Sequence, residues 1–105
     1  MFAQVTDEYV KSDLSVVIKN VRASGDPNKL GLAYVRAGQY ENAIKEFLKG
    51  AAAGQISAMN NLANVYMLQK NYQAAEKQYK NVLAIDSQNK TALKGLENIS
   101  SVLDD

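Results

Sequence analysis

The stretch that decides the fold runs from Asn60 to Asp86 and reads NNLANVYMLQKNYQAAEKQYKNVLAID. In each half of this stretch, apolar residues recur every three or four positions, which is the periodicity of a helix with one buried face. A short polar turn at residues 69–71 separates the two halves. Because each apolar stripe needs another stripe to bury it, the stretch predicts a hairpin of two short helices.

A second copy of this hairpin lies upstream in the chain. Aligning residues 28–57 with residues 60–89 places Leu30 on Leu62 and Phe47 on Tyr79. Small residues recur at matching positions as well, and they let the two helices of a hairpin approach closely. A helical hairpin repeated at a fixed period of this size predicts a solenoid array.

The boundaries of the repeats follow from turn and cap residues. Asp26 can cap a new helix and Pro27 suits its first position, while Ser57 and Asn71 are candidate caps farther along. Apolar residues three and four apart predict an N-terminal helix from about Thr6 or Asp7. Two repeats are fewer than a free-standing array usually needs, so helices at both ends are expected to cover them. One domain is therefore predicted, divided into an N-terminal helix at residues 1–24, repeats at 25–56 and 57–88, and a capping helix at 89–105.

Composition argues against several functional classes. The chain has no histidine and no cysteine, and its 12 Lys and Arg residues nearly balance 11 Asp and Glu. It therefore lacks the commonest general base, the commonest metal ligand and any thiolate, and no net field favours nucleic acid. No apolar run approaches the roughly 20 residues that span a bilayer. We expect no enzyme, no cofactor, no metal, no nucleic-acid partner and no membrane insertion.

The N-terminal residues bear on the compartment. They read MFAQVTDEYVK and lack the basic start and apolar middle of a secretory signal. The pattern favours the cytoplasm for the chain as given, and a periplasmic or secreted location if the chain is a fragment or a mature form.

The motifs of the two copies resemble those of the tetratricopeptide repeat. The first copy carries Leu-Gly-x-x-Tyr and Ala-x-x-x-Phe, at Leu30, Gly31, Tyr34, Ala43 and Phe47. The second copy has the corresponding residues Leu62, Ala63, Tyr66, Ala75 and Tyr79. The junction from Ala51 to Leu62 is similar to the Sel1-like subclass. This resemblance implies an all-α, right-handed α-α superhelix of two hairpins, flanked by N-terminal and C-terminal capping helices.

The resemblance also implies a function and a surface. In this family the first helices of the hairpins line a concave groove that takes peptides or extended segments. Mapped by matching position, the groove residues are Asn28, Leu32, Val35, Arg36, Asn60, Asn61, Asn64, Met67, Leu68, Lys94 and Asn98. Only Asn61 matches the family's clamp for a terminal carboxylate, so no such clamp is expected. The resemblance thus implies a protein-interaction module with a peptide or protein partner, and the alternative is a structural domain that docks or forms a homo-oligomer.

Overall fold

The computed structural model describes residues 16–20 and 25–104. Its five bounded helices are α1 (Pro27–Arg36), α2 (Tyr40–Ala52), α3 (Ile56–Leu68), α4 (Tyr72–Ile85) and α5 (Lys90–Leu103). Residues 16–20 are helical as well, and the described ranges contain no strand. The prediction of an all-helical fold built from two hairpins is confirmed, with α1 and α2 forming the first hairpin and α3 and α4 the second.

Side-chain caps begin three of the helices. The Oδ1 atom of Asp26 accepts the backbone N–H of Asn28 at 3.0 Å, and Asn71 and Asn89 accept backbone N–H groups at the starts of α4 and α5. These bonds satisfy donors that a helix start leaves unpaired. The predicted cap at Ser57 is wrong, because α3 begins at Ile56 and Ser57 already lies inside its first turn.

Close approach at the repeat junction depends on Gly50. A Cβ atom at Gly50 would lie 2.6 Å from the Cβ atom of Ala58, well inside normal contact distance. Without a side chain at this position, α3 can start directly against the end of α2.

Packing follows the order of the chain. Each bounded helix packs on its chain neighbour, and α3 also contacts α1 and α5, so α3 touches the other four bounded helices. One core cluster lies between the first hairpin and α3, around the fully buried Phe47 and Leu62. A second cluster lies among α3, α4 and α5, around Tyr79 and Ile99. The molecule is therefore a short solenoid in which α3 belongs to both cores.

The aromatic residue of each hairpin packs against a glycine. Phe47 lies against Gly31 of α1, and Tyr79 lies against Gly95 of α5. At either glycine a Cβ atom would overlap the aromatic ring. The missing side chain at Gly95 thus lets α5 pack closely on the second hairpin. A C-terminal helix packed there is what the sequence predicted.

The N-terminal segment is described only in part. Ile18 is half-buried and packs against the core cluster of the first hairpin. The predicted helix start near Thr6, and most of the predicted segment 1–24, lie outside the described residues.

Candidate functional site

A cleft runs between α1 and α3 on the side formed by the first helices of the hairpins. Its volume is about 190 Å³, and its lining residues are Leu32, Val35, Phe47, Asn61, Asn64, Val65 and Leu68. Five of the predicted groove residues are therefore brought together here. Phe47 and Val65 were not among the predicted groove residues, because their helical positions assign them to the core. In the structure these two core residues also form the floor of the cleft.

The walls of the cleft expose apolar surface. Leu32 on α1 is 36% exposed and Leu68 on α3 is 61% exposed, whereas Phe47 beneath them is fully buried. Val35 is half-buried on the same wall as Leu32. An apolar side chain from a partner could cover these leucines and remove their surface from water.

Two asparagines connect the walls, with Asn28 at the start of α1 and Asn61 near the middle of α3. The Nδ2 atom of Asn61 donates to Oδ1 of Asn28 at 2.8 Å, which ties α3 to α1. This bond uses the acceptor of Asn28 and one donor of Asn61, and it leaves the Asn61 Oδ1 atom able to accept a further hydrogen bond. Both side chains are half-buried and reach solvent.

Asn64, which lines the cleft, is held by a hydroxyl from α4. The hydroxyl of Tyr79 donates to Oδ1 of Asn64 at 2.5 Å. Burial raises the pKa of Tyr79 above its ordinary value, so the phenol stays protonated and keeps this donor. With Oδ1 engaged, the exposed Asn64 side chain presents its Nδ2 donors to solvent and to the cleft.

Asn60 lies apart from this cleft. It is only 8% exposed, and its Nδ2 atom donates to Oδ1 of Asn89 at 3.2 Å. Asn89 also caps α5 through the backbone N–H of Ala92. Asn60 thus connects α3 to the start of α5. It was predicted to line the groove with Asn61, its neighbour in the sequence, but it does not line this cleft.

The remaining predicted groove residues spread over the layer of α1, α3 and α5. Met67 is half-buried against the second core cluster, and Lys94 and Asn98 are exposed on α5. Arg36 lines a separate cleft of about 190 Å³ whose other lining residues are Val17, Lys29, Leu32 and Ala33. Leu32 therefore belongs to both clefts.

Lys29 lines this second cleft, although it is not among the predicted groove residues. Its position one residue after Asn28, matching Asn61 in the second repeat, is the signal that could have identified it.

A larger recess lies at the start of α1. It measures about 410 Å³ and is lined by Gly25, Asp26, Pro27, Leu30, Tyr34, Glu46 and Lys49. It contains none of the predicted groove residues. Within the described ranges, no group of three or more carboxylates comes together as a metal site would require, and no helix has the length and apolarity needed to cross a bilayer.

Comparisons with known proteins agree with this architecture. Sequence models of the tetratricopeptide repeat match residues 28–52 and 56–89, which together form more than half of the chain. The chain is also similar to "Uncharacterized protein ycf37" of Pyropia yezoensis, with 36% identity over 83 residues. That match covers 76% of the chain and 46% of the relative, so the chain spans about half the length of this relative. Tetratricopeptide repeats form protein–protein interaction modules and are generally non-catalytic. The chain belongs to the tetratricopeptide repeat family.

Proposed function

We propose that the chain is a non-catalytic module that binds a peptide or protein segment in the groove lined by α1, α3 and α5. The observation that carries this proposal is the pair of exposed leucines, Leu32 and Leu68, on the two walls of one cleft. Solitary exposed apolar residues are common on protein surfaces, but a facing pair above an apolar floor forms a pocket for a side chain.

Polar groups beside the leucines complement a peptide backbone. The Asn61 Oδ1 atom is an available acceptor, and the Asn64 Nδ2 atom is an available donor. The two residues lie three positions apart on α3, so their side chains are neighbours on the same helix face. A peptide group needs one acceptor for its N–H and one donor for its C=O, and this pair supplies both. Met67, Lys94 and Asn98 would extend the contact surface toward α5.

The test begins with peptides selected from a random displayed library against the immobilised domain. Their affinity is then measured by fluorescence anisotropy for the wild type, for Leu68→Lys, and for Leu48→Lys as a matched control. Leu48 is 45% exposed and lies on α2, outside the groove layer. We expect Leu68→Lys to weaken binding roughly ten-fold or more, since a lysine charge in the cleft opposes apolar contact, and Leu48→Lys to leave it unchanged. Equal affinities for all three proteins would overturn the proposal.

A structural or oligomerisation role is the second candidate. It is favoured by exposed apolar residues at the α5 end of the array, where Leu93 is 46%, Val102 46% and Leu103 58% exposed. A second copy could cover this surface. Sedimentation velocity over a wide concentration range distinguishes the roles, because a strict monomer at the highest concentration excludes self-association.

The repeat junction supports a proposal about subclass. We propose that the segment from Ala51 to Leu62 is a Sel1-like junction. Small residues in this segment and just before it support the proposal, since Gly50 and Ala58 permit close approach of α2 and α3.

A further inference from the structure

Charge is distributed unevenly between the two layers of the solenoid. The groove-lining helices carry Lys29 and Arg36 on α1 and Lys90 and Lys94 on α5, whereas their single acidic residue is Glu97. Helix α3 has no charged residue at all. The groove layer is therefore basic, although the whole chain has a net charge of only +1.

The outer layer is different, because its charges are mixed and partly paired. Lys49 lies 3.0 Å from Glu46 on α2, and Lys80 lies 2.8 Å from Glu76 on α4. In the groove layer, by contrast, Lys29 and Arg36 have no ion-pair partner among residues 16–20 and 25–104. Both side chains are exposed to solvent.

These two cations flank an exposed leucine. Lys29 lies three residues before Leu32 and Arg36 lies four residues after it, so all three occupy one face of α1. They line the same cleft together with Val17. Leu32 also forms a wall of the neighbouring cleft between α1 and α3. This surface thus places the exposed apolar side chain of Leu32 between the positive charges of Lys29 and Arg36.

Two carboxylates stand just before helices of the groove layer. Asp26 precedes α1 and accepts the backbone N–H groups of Asn28 and Lys29 through its Oδ1 atom. Asp86 precedes α5, where it accepts from the Gln88 N–H and the Asn89 side chain. Both carboxylates serve as turn and cap acceptors at helix starts, and neither lines the two clefts.

We infer that the groove binds a partner segment in which apolar side chains are flanked by aspartate or glutamate. This inference rests on the proposed groove function and names the chemistry of its partner. The apolar side chain would cover Leu32 and Leu68, and the carboxylates would approach Lys29 and Arg36. Because these cations are solvent-exposed, they contribute mainly to selectivity and association rate, and their effect falls with salt.

The experiment uses a labelled probe peptide, Gly-Asp-Glu-Leu-Leu-Asp-Glu-Gly, and a matched probe with Asn and Gln in place of Asp and Glu. Fluorescence anisotropy is measured at about 20 mM and about 150 mM salt, where screening differs strongly. We expect the acidic probe to bind about ten-fold more tightly than the amide probe at low salt, and this preference to shrink at high salt.

Two double variants locate the effect. Lys29→Glu with Arg36→Glu reverses charge in the groove layer, and Lys45→Glu with Lys77→Glu makes the same net change on the exposed outer faces of α2 and α4. The first should abolish the preference for the acidic probe, and the second should retain most of it. Equal binding of both probes, no binding of either, or equal loss in the two variants would each overturn the inference.

Two further outcomes separate this inference from the proposed function. If library-selected peptides bind through Leu68 but are not enriched in acidic residues, the groove function stands and the acidic partner is wrong. Short duplex DNA is added as a competitor. If it displaces the acidic probe with comparable affinity, the surface binds polyanions in general and the inference fails.

Discussion

Tyr79 differs from its repeat counterpart Phe47 by one hydroxyl, and that hydroxyl donates to Asn64. We expect Tyr79→Phe to lower the free energy of unfolding by about 1 kcal/mol, because one hydrogen bond is lost while the ring packing is kept. Urea unfolding followed by circular dichroism measures this difference. Phe47 shows that a phenyl ring fits the corresponding position, so a loss far above this value would mean that the ring packing had changed as well.

The same residue predicts a pH dependence. Burial raises the pKa of Tyr79 in the folded protein, whereas the unfolded chain releases this proton near pH 10. The contribution of Tyr79 to stability is therefore complete below about pH 10 and is lost as the pH rises through the folded pKa. The difference in unfolding free energy between wild type and Tyr79→Phe should shrink above pH 10. If this difference in unfolding free energy stayed constant above pH 10, the pKa of Tyr79 would not be raised in the folded protein.

Lys70 occupies a backbone conformation that favours glycine. Its φ angle is 59°, and Gly38 at the equivalent turn of the first hairpin has a φ angle of 75°. A side chain in the left-handed region costs roughly 1 kcal/mol. We expect Lys70→Gly to raise the free energy of unfolding by up to about 1 kcal/mol, and Gly38→Lys to lower it. Thermal denaturation of both variants measures the two opposite shifts.

Helix α5 depends on the absence of a side chain at Gly95. A Cβ atom there would overlap the ring of Tyr79. We expect Gly95→Ala to lower the free energy of unfolding by about 1–3 kcal/mol, despite the higher helix propensity of alanine, since the ring must move or α5 must shift outward. Ser101→Ala, at an exposed position on the same helix, is the matched control. If Gly95→Ala raised the free energy of unfolding instead, the ring of Tyr79 or α5 would have to be able to shift at little cost.

The order of packing predicts a gradient of local stability over the whole molecule. Among the five bounded helices, α3 contacts the other four, whereas α5 contacts α4 and α3. In a solenoid, a terminal unit opens more readily than one with neighbours on both sides. Amide hydrogen exchange should therefore be slowest for residues near Leu62 and Val65, and faster along α5. Equal protection of α3 and α5 would indicate that the array opens as one unit.

Much of this architecture is present in local patterns of the sequence. Helical periodicity, the match of Leu30 with Leu62, and the cap at Asp26 are read within a few residues or at one fixed period. Five of the predicted groove residues also meet in one cleft, because a helical repeat places equivalent residues on the same face.

The sequence by itself determined the repeat, the helical hairpins and the helix faces on which the predicted groove residues lie. Only the tertiary structure decided what each asparagine does. Asn60 and Asn64 lie one turn apart, yet Asn60 is buried against Asn89 whereas Asn64 is exposed and held by Tyr79. The physical reason is that periodicity defines a helix face, while hydrogen bonds and burial depend on side chains from other helices.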